Sequence, residues 1–219
     1  MHDLIISGSL RSLQAICENS LQRRPRQNYI RFMPIQSLLL DAAEGHFAQH
    51  GVLGTRLADI REEVGVSVGG IYHHFPSKKE LYAEVWLRAL GEYQDMFRAV
   101  LAESTGARGG IEGVVASHLE WVAANPDRAT ILVSPRPPGI NERAAEGNRI
   151  FFRTVMAWWR THQNYGSVRR LDFDVLNALW LGPAQEYSRH WLAGSIATDP
   201  TSVAPDLARA AWNSLRSQE

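Results

Sequence analysis

Ser67-Val68-Gly69-Gly70-Ile71-Tyr72-His73-His74 sets three aromatic, hydrogen-bonding side chains beside two glycines. Tyr and His can donate to phosphate oxygens or to base edges. Glycine, with no Cβ, lets a backbone come close to a bulky partner. Lys78 and Lys79 follow in what reads as the first turn of a helix, where the macrodipole disfavours cations. A phosphate partner accounts for them. The chemistry that these residues can do is non-covalent contact with the backbone and groove of a nucleic acid.

Two short helices must position them. Thr55 reads as the N-cap of the first, in which Leu57, Ile60 and Val64 recur at i, i+3 and i+7 on one apolar face. Gly65 stands where a helix ends in a left-handed residue. Ser67 then caps a second helix whose Val68, Ile71 and Phe75 pack against the first. At about 100° per residue, Gly69, Gly70, His73 and His74 fall on the opposite side, with Tyr72 on the flank. Phe75-Pro76 stops this helix. Ser77-Lys78-Lys79-Glu80 forms a capping box that opens a longer one.

Ala42-Ala43, Phe47, Gly51, Thr55, Ile60, Gly65-Val66-Ser67, Gly69, Ile71-Tyr72-His73-His74-Phe75, Ser77-Lys78 and Leu81 together resemble the N-terminal domain of the TetR family of one-component transcriptional regulators. The resemblance runs from Ile35 to Leu81. It implies that Thr55 and Arg56 meet phosphate, and that Ser67, Val68, Gly69 and Gly70 lie at the mouth of the major groove. It further implies that Tyr72, His73 and His74 contact phosphates and bases, while Lys78 anchors a phosphate. Two residues depart from the pattern. Arg61 replaces a small residue, so its stem can lie along apolar surface or its head can add a phosphate contact. His46 replaces an aliphatic on the first helix's apolar face (Ile35, Leu38, Leu39, Ala42, Ala43).

At 219 residues the chain can bury a substantial core in one or two domains, and its formal net charge is zero. Residues 34–80 carry four basic and six acidic side chains. Any nucleic-acid contact is therefore focal, and affinity should depend on salt and operator sequence. The single cysteine, Cys17, forms no internal disulfide and suits a reducing compartment. With no run of 18 apolar residues and no signal peptide, the cytoplasm is the expected location and no membrane contact is expected.

Three segments are expected. Residues 1–33 form a leader, either dispensable, with translation starting at Met33, or a basic arm (Arg23, Arg24, Arg26, Arg31) that reaches along DNA. Residues 34–80 form the three-helix DNA-binding domain. Residues 81–219 form a helical body, so the fold class is all-α. Within the body the long helix from Ser77 runs to about Glu103, and Ser104–Gly110 is a turn-rich break. Helices follow over about Ile111–Ala124, from an Asn125 cap with Pro126 to Val133, over Asn141–Gln163, Asp172–Gly194 and Val203–Arg216. Ser134-Pro-Arg-Pro-Pro-Gly139 is a rigid loop.

Six of the seven tryptophans lie beyond residue 110. Aromatic-rich helices either fill core or enclose an apolar cavity. The candidate lining is His118 and Trp121 on one helix, Phe152, Met156 and Trp159 on the next, and Trp180 with Gln185 on a third. By resemblance this body binds a small apolar or amphipathic effector of unspecified identity. Leu179, Gly182, Ala184, Leu207, Ala210, Ala211 and Leu215 suit close helix packing, either within the chain or, as the resemblance implies, in a four-helix homodimer interface with Arg189 and Trp191 at its edge. Two recognition helices would then lie about 34–36 Å apart on a palindromic operator.

His46 and His50, one helical turn apart, have metal-like spacing, but no third ligand is evident. No nucleophile elbow, P-loop or dinucleotide fingerprint occurs. No cofactor, no metal and no enzymatic activity are expected. The expectation is a DNA-binding, ligand-responsive regulator, most often a repressor in such families. The alternatives are a helical sensor or interaction protein without DNA binding in its ligand-free form, or an enzyme using the body cavity.

Overall fold

The computed structural model describes residues 34–217. The leader, with its arginines and Met33, lies outside them. The described residues form ten helices: α1 (Ile35–Gly54), α2 (Leu57–Val64), α3 (Val68–His74), α4 (Lys78–Glu103), α5 (Ala107–Ala124), α6 (Pro126–Val133), α7 (Ile140–Asn164), α8 (Phe173–Trp180), α9 (Gly182–Leu192) and α10 (Pro200–Leu215). The fold is all-α. The one β-bridge among the described residues, Val168 to Arg216, ties the α7–α8 connection to the end of α10.

Two apolar clusters organise the chain. The first joins Leu39, Ala43 and Phe47 of α1, Ile60 of α2, Ile71 of α3 and Phe75 to Leu81, Tyr82 and Val85 of α4. Burying each such large side chain stabilises by about 1.5–3 kcal/mol. Ile131 of α6 and Ile140 of α7 also enter this cluster. The N-terminal unit therefore sits on the body through apolar contacts as well as through α4. The second cluster centres on Phe97, Ile111, Leu119, Trp159, Trp180 and Leu215. Phe97, Trp159 and Trp180 meet edge to face, with ring centroids 5.1 Å apart for both the Phe97–Trp180 and Trp159–Trp180 pairs.

Local chemistry explains most of the boundaries. α1 breaks at Gly51, whose φ of 64° and ψ of 175° interrupt the helical path. Gly65 closes α2 in the left-handed region at φ 76°. Ser67 Oγ accepts from Gly70 N, and Ser77 Oγ from Glu80 N, as caps should.

Several boundaries differ from the sequence expectation. Asn125 does not cap α6; its Nδ2 donates to Trp121 O at the end of α5. α5 begins at Ala107, so Gly109 and Gly110 are helical rather than part of a turn. A Cβ at Gly110 would stand 2.2 Å from Trp158 Cζ2, so glycine here makes room for an indole. The helix expected over 172–194 is two, because Pro183 has no N–H to continue α8. α10 starts earlier than expected, with Pro200 in its first turn and Asp199 Oδ1 accepting from Thr201 N.

Candidate nucleic-acid interface and ligand cavity

α3 is anchored by Ile71 and Phe75, 1% and 2% exposed, and turns its other side outward. Tyr72 is 50% exposed; Ser67, Gly69 and His73 are exposed, while Gly70 and His74 are half-buried. The His73 and His74 rings meet edge to face at 5.2 Å. The two glycines differ. A Cβ at Gly69 would meet nothing within 4 Å, whereas one at Gly70 would lie 3.3 Å from Ser67 Oγ. Gly70 thus accommodates the cap, while Gly69 opens onto solvent.

Val68 does not pack against α2 as the i, i+3, i+7 pattern suggested. As the first residue of a short helix it is 61% exposed, and the half-buried Val66 of the turn packs against the cluster instead. Val68 therefore shares the outer face with Tyr72.

Thr55 has a different task from the one its sequence position suggested. It is 1% exposed, and its hydroxyl is directed at Gly51 O (2.7 Å) and His46 O (2.9 Å). It fastens the end of α1, does not cap α2, and is not presented to a phosphate. Lys78 Nζ donates to Thr55 O at 2.9 Å and to Leu53 O at 3.3 Å, which closes the α1–α2 junction. An ammonium has three donors, so one remains for an outside acceptor. Arg56 is the freer cation: its side chain is 76% exposed and pairs loosely with Asp59 at 3.9 Å. Lys79, exposed one residue along from Lys78, is a further cation at this edge.

Both departures from the family pattern make internal contacts. Arg61 donates to Val66 O in the turn and to Glu62. His46 Nε2 lies 2.9 Å from Glu63 Oε2, which bridges α1 to α2. The His46 and His50 rings are 6.1 Å apart, and no group of three metal-ligating side chains occurs among the described residues.

The acidic side chains of residues 34–80 are paired in part by arginines from outside the segment. Arg88 binds Asp41 and Glu44, both at 2.6 Å; Arg128 binds Glu44 at 2.9 Å; Arg143 binds Glu80 at 3.1 Å. Arg143 also pairs with Glu84 and Arg128 with Glu92, so these arginines offset only part of the segment's excess. Glu44 lies between two guanidiniums at the contact of α1, α4 and α6, and Arg128 also reaches Glu92.

The body holds two adjoining cavities that share Tyr93 and Gln185 as a common wall. The first, of about 370 Å³, lies between α5, α6 and α9 and includes His118, Trp121 and Gln185. The second, of about 430 Å³, lies between α4, α7 and α8 and includes Phe152, Trp180 and Gln185. Five of the seven expected lining residues are therefore brought to a cavity. Trp159 is not: it is fully buried in the core. Met156 lines neither cavity. Arg136, Asn141, Asn148, Gln94 and Asn177, all polar, line the second cavity and escaped sequence reasoning.

In the wall of the first cavity, Tyr93 Oη lies 2.9 Å from His118 Nδ1, and Ser188 Oγ lies 3.1 Å from His118 Nε2. Burial lowers the His118 pKa to about 4, opposed by a hydrogen bond to the Ala184 backbone. The same burial holds the Tyr93 phenol protonated. Neutral, linked side chains make a satisfied polar cluster. Ser188 is 3% exposed within it.

The residues considered for a dimer interface divide. Ala184, Ala211 and Leu215 are buried in the chain's own core, because α10 packs along α5 and α9 turns Ala184 inward. Leu179 and Leu207 are half-buried against that core. Gly182 and Trp191 are partly exposed, and Ala210 and Arg189 are exposed; Arg189 pairs with Glu186 at 2.6 Å.

The model of "Bacterial regulatory proteins, tetR family" matches residues 39–85. The transcriptional repressor KstR2 of Rhodococcus jostii RHA1 is 30% identical over 93 residues, 42% of this chain and 46% of that protein, so the match spans about half of that relative. A probable acrEF/envCD operon repressor of Escherichia coli K12 is 29% identical over 185 residues, 77% of this chain and 81% of that protein. A TetR family transcription regulator from Marinobacter aquaeolei VT8 shares the fold with a TM-score of 0.67 at 16% identity, over 84% of this chain and 96% of that one.

Proposed function

We propose that this chain, a member of the tetR family of bacterial regulatory proteins, is a ligand-responsive regulator of transcription, most simply a repressor, that binds duplex DNA as a homodimer. The observation that carries the proposal is the outer face of α3. Val68, Gly69 and Tyr72 project from a helix whose inner residues are fully buried, so a rigid unit presents a small, hydrogen-bonding surface. Ser67 and Gly70 lie at the start of this helix, where groove entry places contacts. His73 and His74 continue the face. Arg56, Lys79 and the remaining donor of Lys78 supply phosphate contacts on either side.

The second cavity is placed to control that face. α4 lines it with Trp86, Leu90 and Phe97, and the same helix carries Leu81, Tyr82 and Val85 into the DNA-binding unit. Tyr82 Oη donates to Pro135 O at 3.1 Å, which ties the cavity's Ser134–Gly139 loop to that unit. A ligand that favours one position of α4 and this loop shifts the population of DNA-competent dimers by its differential affinity alone. Gly182, Arg189, Trp191 and Ala210 remain the candidates for the dimer surface.

Fluorescence anisotropy on an operator duplex tests the reading. Tyr72→Ala and Lys79→Ala should each weaken binding at least tenfold with an unchanged melting temperature, and Lys79→Ala should lower the salt slope by about one. Wild-type affinity in both variants would show that α3 and its flanks do not face the DNA.

A further inference from the structure

We infer that the second cavity takes an apolar molecule headed by a carboxylate or a similar compact anion, with Arg136 as its counter-charge. The inference rests on the regulator reading only for its consequence at the DNA, not for the binding itself.

Charge comes first. Arg136 is the one charged side chain among the described residues lining this cavity, and no carboxylate of the protein lines it. A cationic ligand would have no counter-ion there, whereas the exposed Arg136 stays hydrated beside a neutral one. An anion fits a guanidinium's forked donors. Arg136 sits in a Pro-flanked loop whose backbone Tyr82 holds. Part of its positioning cost is therefore met before a ligand arrives.

The polar inventory supports this. Trp86 is 6% exposed and lines the cavity, so its indole signal reports on a ligand there. Also in the lining, Gln94 Nε2 donates to Asn148 Oδ1 at 2.8 Å. That bond leaves the Asn148 amide N–H₂ as a further donor. Trp180 has already spent its N–H on Ile111 O at 3.1 Å, so it offers the cavity an apolar ring. With Phe97, Phe151, Phe152 and Phe173 it forms a connected set of aromatic rings in the lining. A volume of about 430 Å³ lies within the range of small-molecule sites.

The probes are a matched series on the full chain: 4-phenylbutanoate, 4-phenylbutan-1-ol and 4-phenylbutylamine. Binding is followed by NMR of the tryptophan indole N–H signals, with Trp86→Phe assigning the relevant peak. The carboxylate should bind at least tenfold more tightly than the amine and should shift the Trp86 signal. Arg136→Gln should weaken the carboxylate at least tenfold while leaving the alcohol unchanged. Equal or tighter binding of the amine, an Arg136→Gln variant that binds the carboxylate like wild type, or no binding by any of the three would overturn the inference. The same titration in the presence of operator DNA separates the two readings. Head-group selectivity without any change in DNA affinity would uphold the anion site and overturn ligand control of DNA binding.

Discussion

Replacing Gly69 with alanine should raise the protein's stability and lower its affinity for DNA. Gly69 lies in the first turn of α3 without a positive φ, so alanine can adopt its backbone conformation. Its new Cβ would meet nothing within 4 Å. The folded chain therefore incurs no steric cost and gains the ordinary advantage of alanine over glycine in a helix, about 0.5–1 kcal/mol. For a chain of this size that corresponds to roughly 1–4 °C in melting temperature. The open space at Gly69 is where a groove edge would lie if α3 reads DNA. A methyl group there keeps the backbone from its closest approach, and a tenfold loss of affinity, about 1.4 kcal/mol, is the expected minimum. Differential scanning calorimetry and anisotropy titration on the same preparation give both numbers. A variant that melts higher and binds the operator like wild type would refute the placement of α3 against DNA. One that melts lower would refute the local geometry.

Gly110→Ala should do the opposite to stability, because its Cβ falls 2.2 Å from the Trp158 ring; overpacking of about 1–3 kcal/mol should appear as a lower urea midpoint. Glu44→Gln removes the charge between Arg88 and Arg128, and should cost about 1–2 kcal/mol by denaturant titration while altering the response of DNA binding to ligand. His118 has a folded-state pKa of about 4, below the 6.5 of the free side chain. The unfolded chain therefore binds the proton first, and His118's contribution is full above pH 6.5 and declines as pH falls toward 4. The total loss is about 3 kcal/mol, and His118→Gln should flatten the pH dependence of the urea midpoint over that window.

Much of this was legible because the signals are local. Ser67 and Ser77 act as caps within three residues of their partners. Gly65 takes the left-handed conformation that a two-helix turn needs. Thr55 misleads because a hydroxyl before a helix looks like a cap, whereas its bonds run back to α1. Gly109-Gly110 reads as a turn because the indole that requires Gly110 lies on another helix. Pro183 carried the signal for the α8–α9 break, and a continuous apolar pattern hid it. Cavity walls are harder still: Gln94 and Asn148, 54 residues apart, meet only in the folded chain. The burial of Ala184, Ala211 and Leu215 depends on which helix α10 chooses to pack along, which small apolar residues leave undecided.

Paired α3 helices are proposed to read DNA. Selection of bound sequences from random duplexes by the purified full chain, in low salt and without ligand, tests this most directly. An enriched palindrome with half-sites about one helical turn, 10–10.5 base pairs, apart is expected, and it should be lost in Tyr72→Ala. No enrichment, or the same enrichment from the variant, would contradict it.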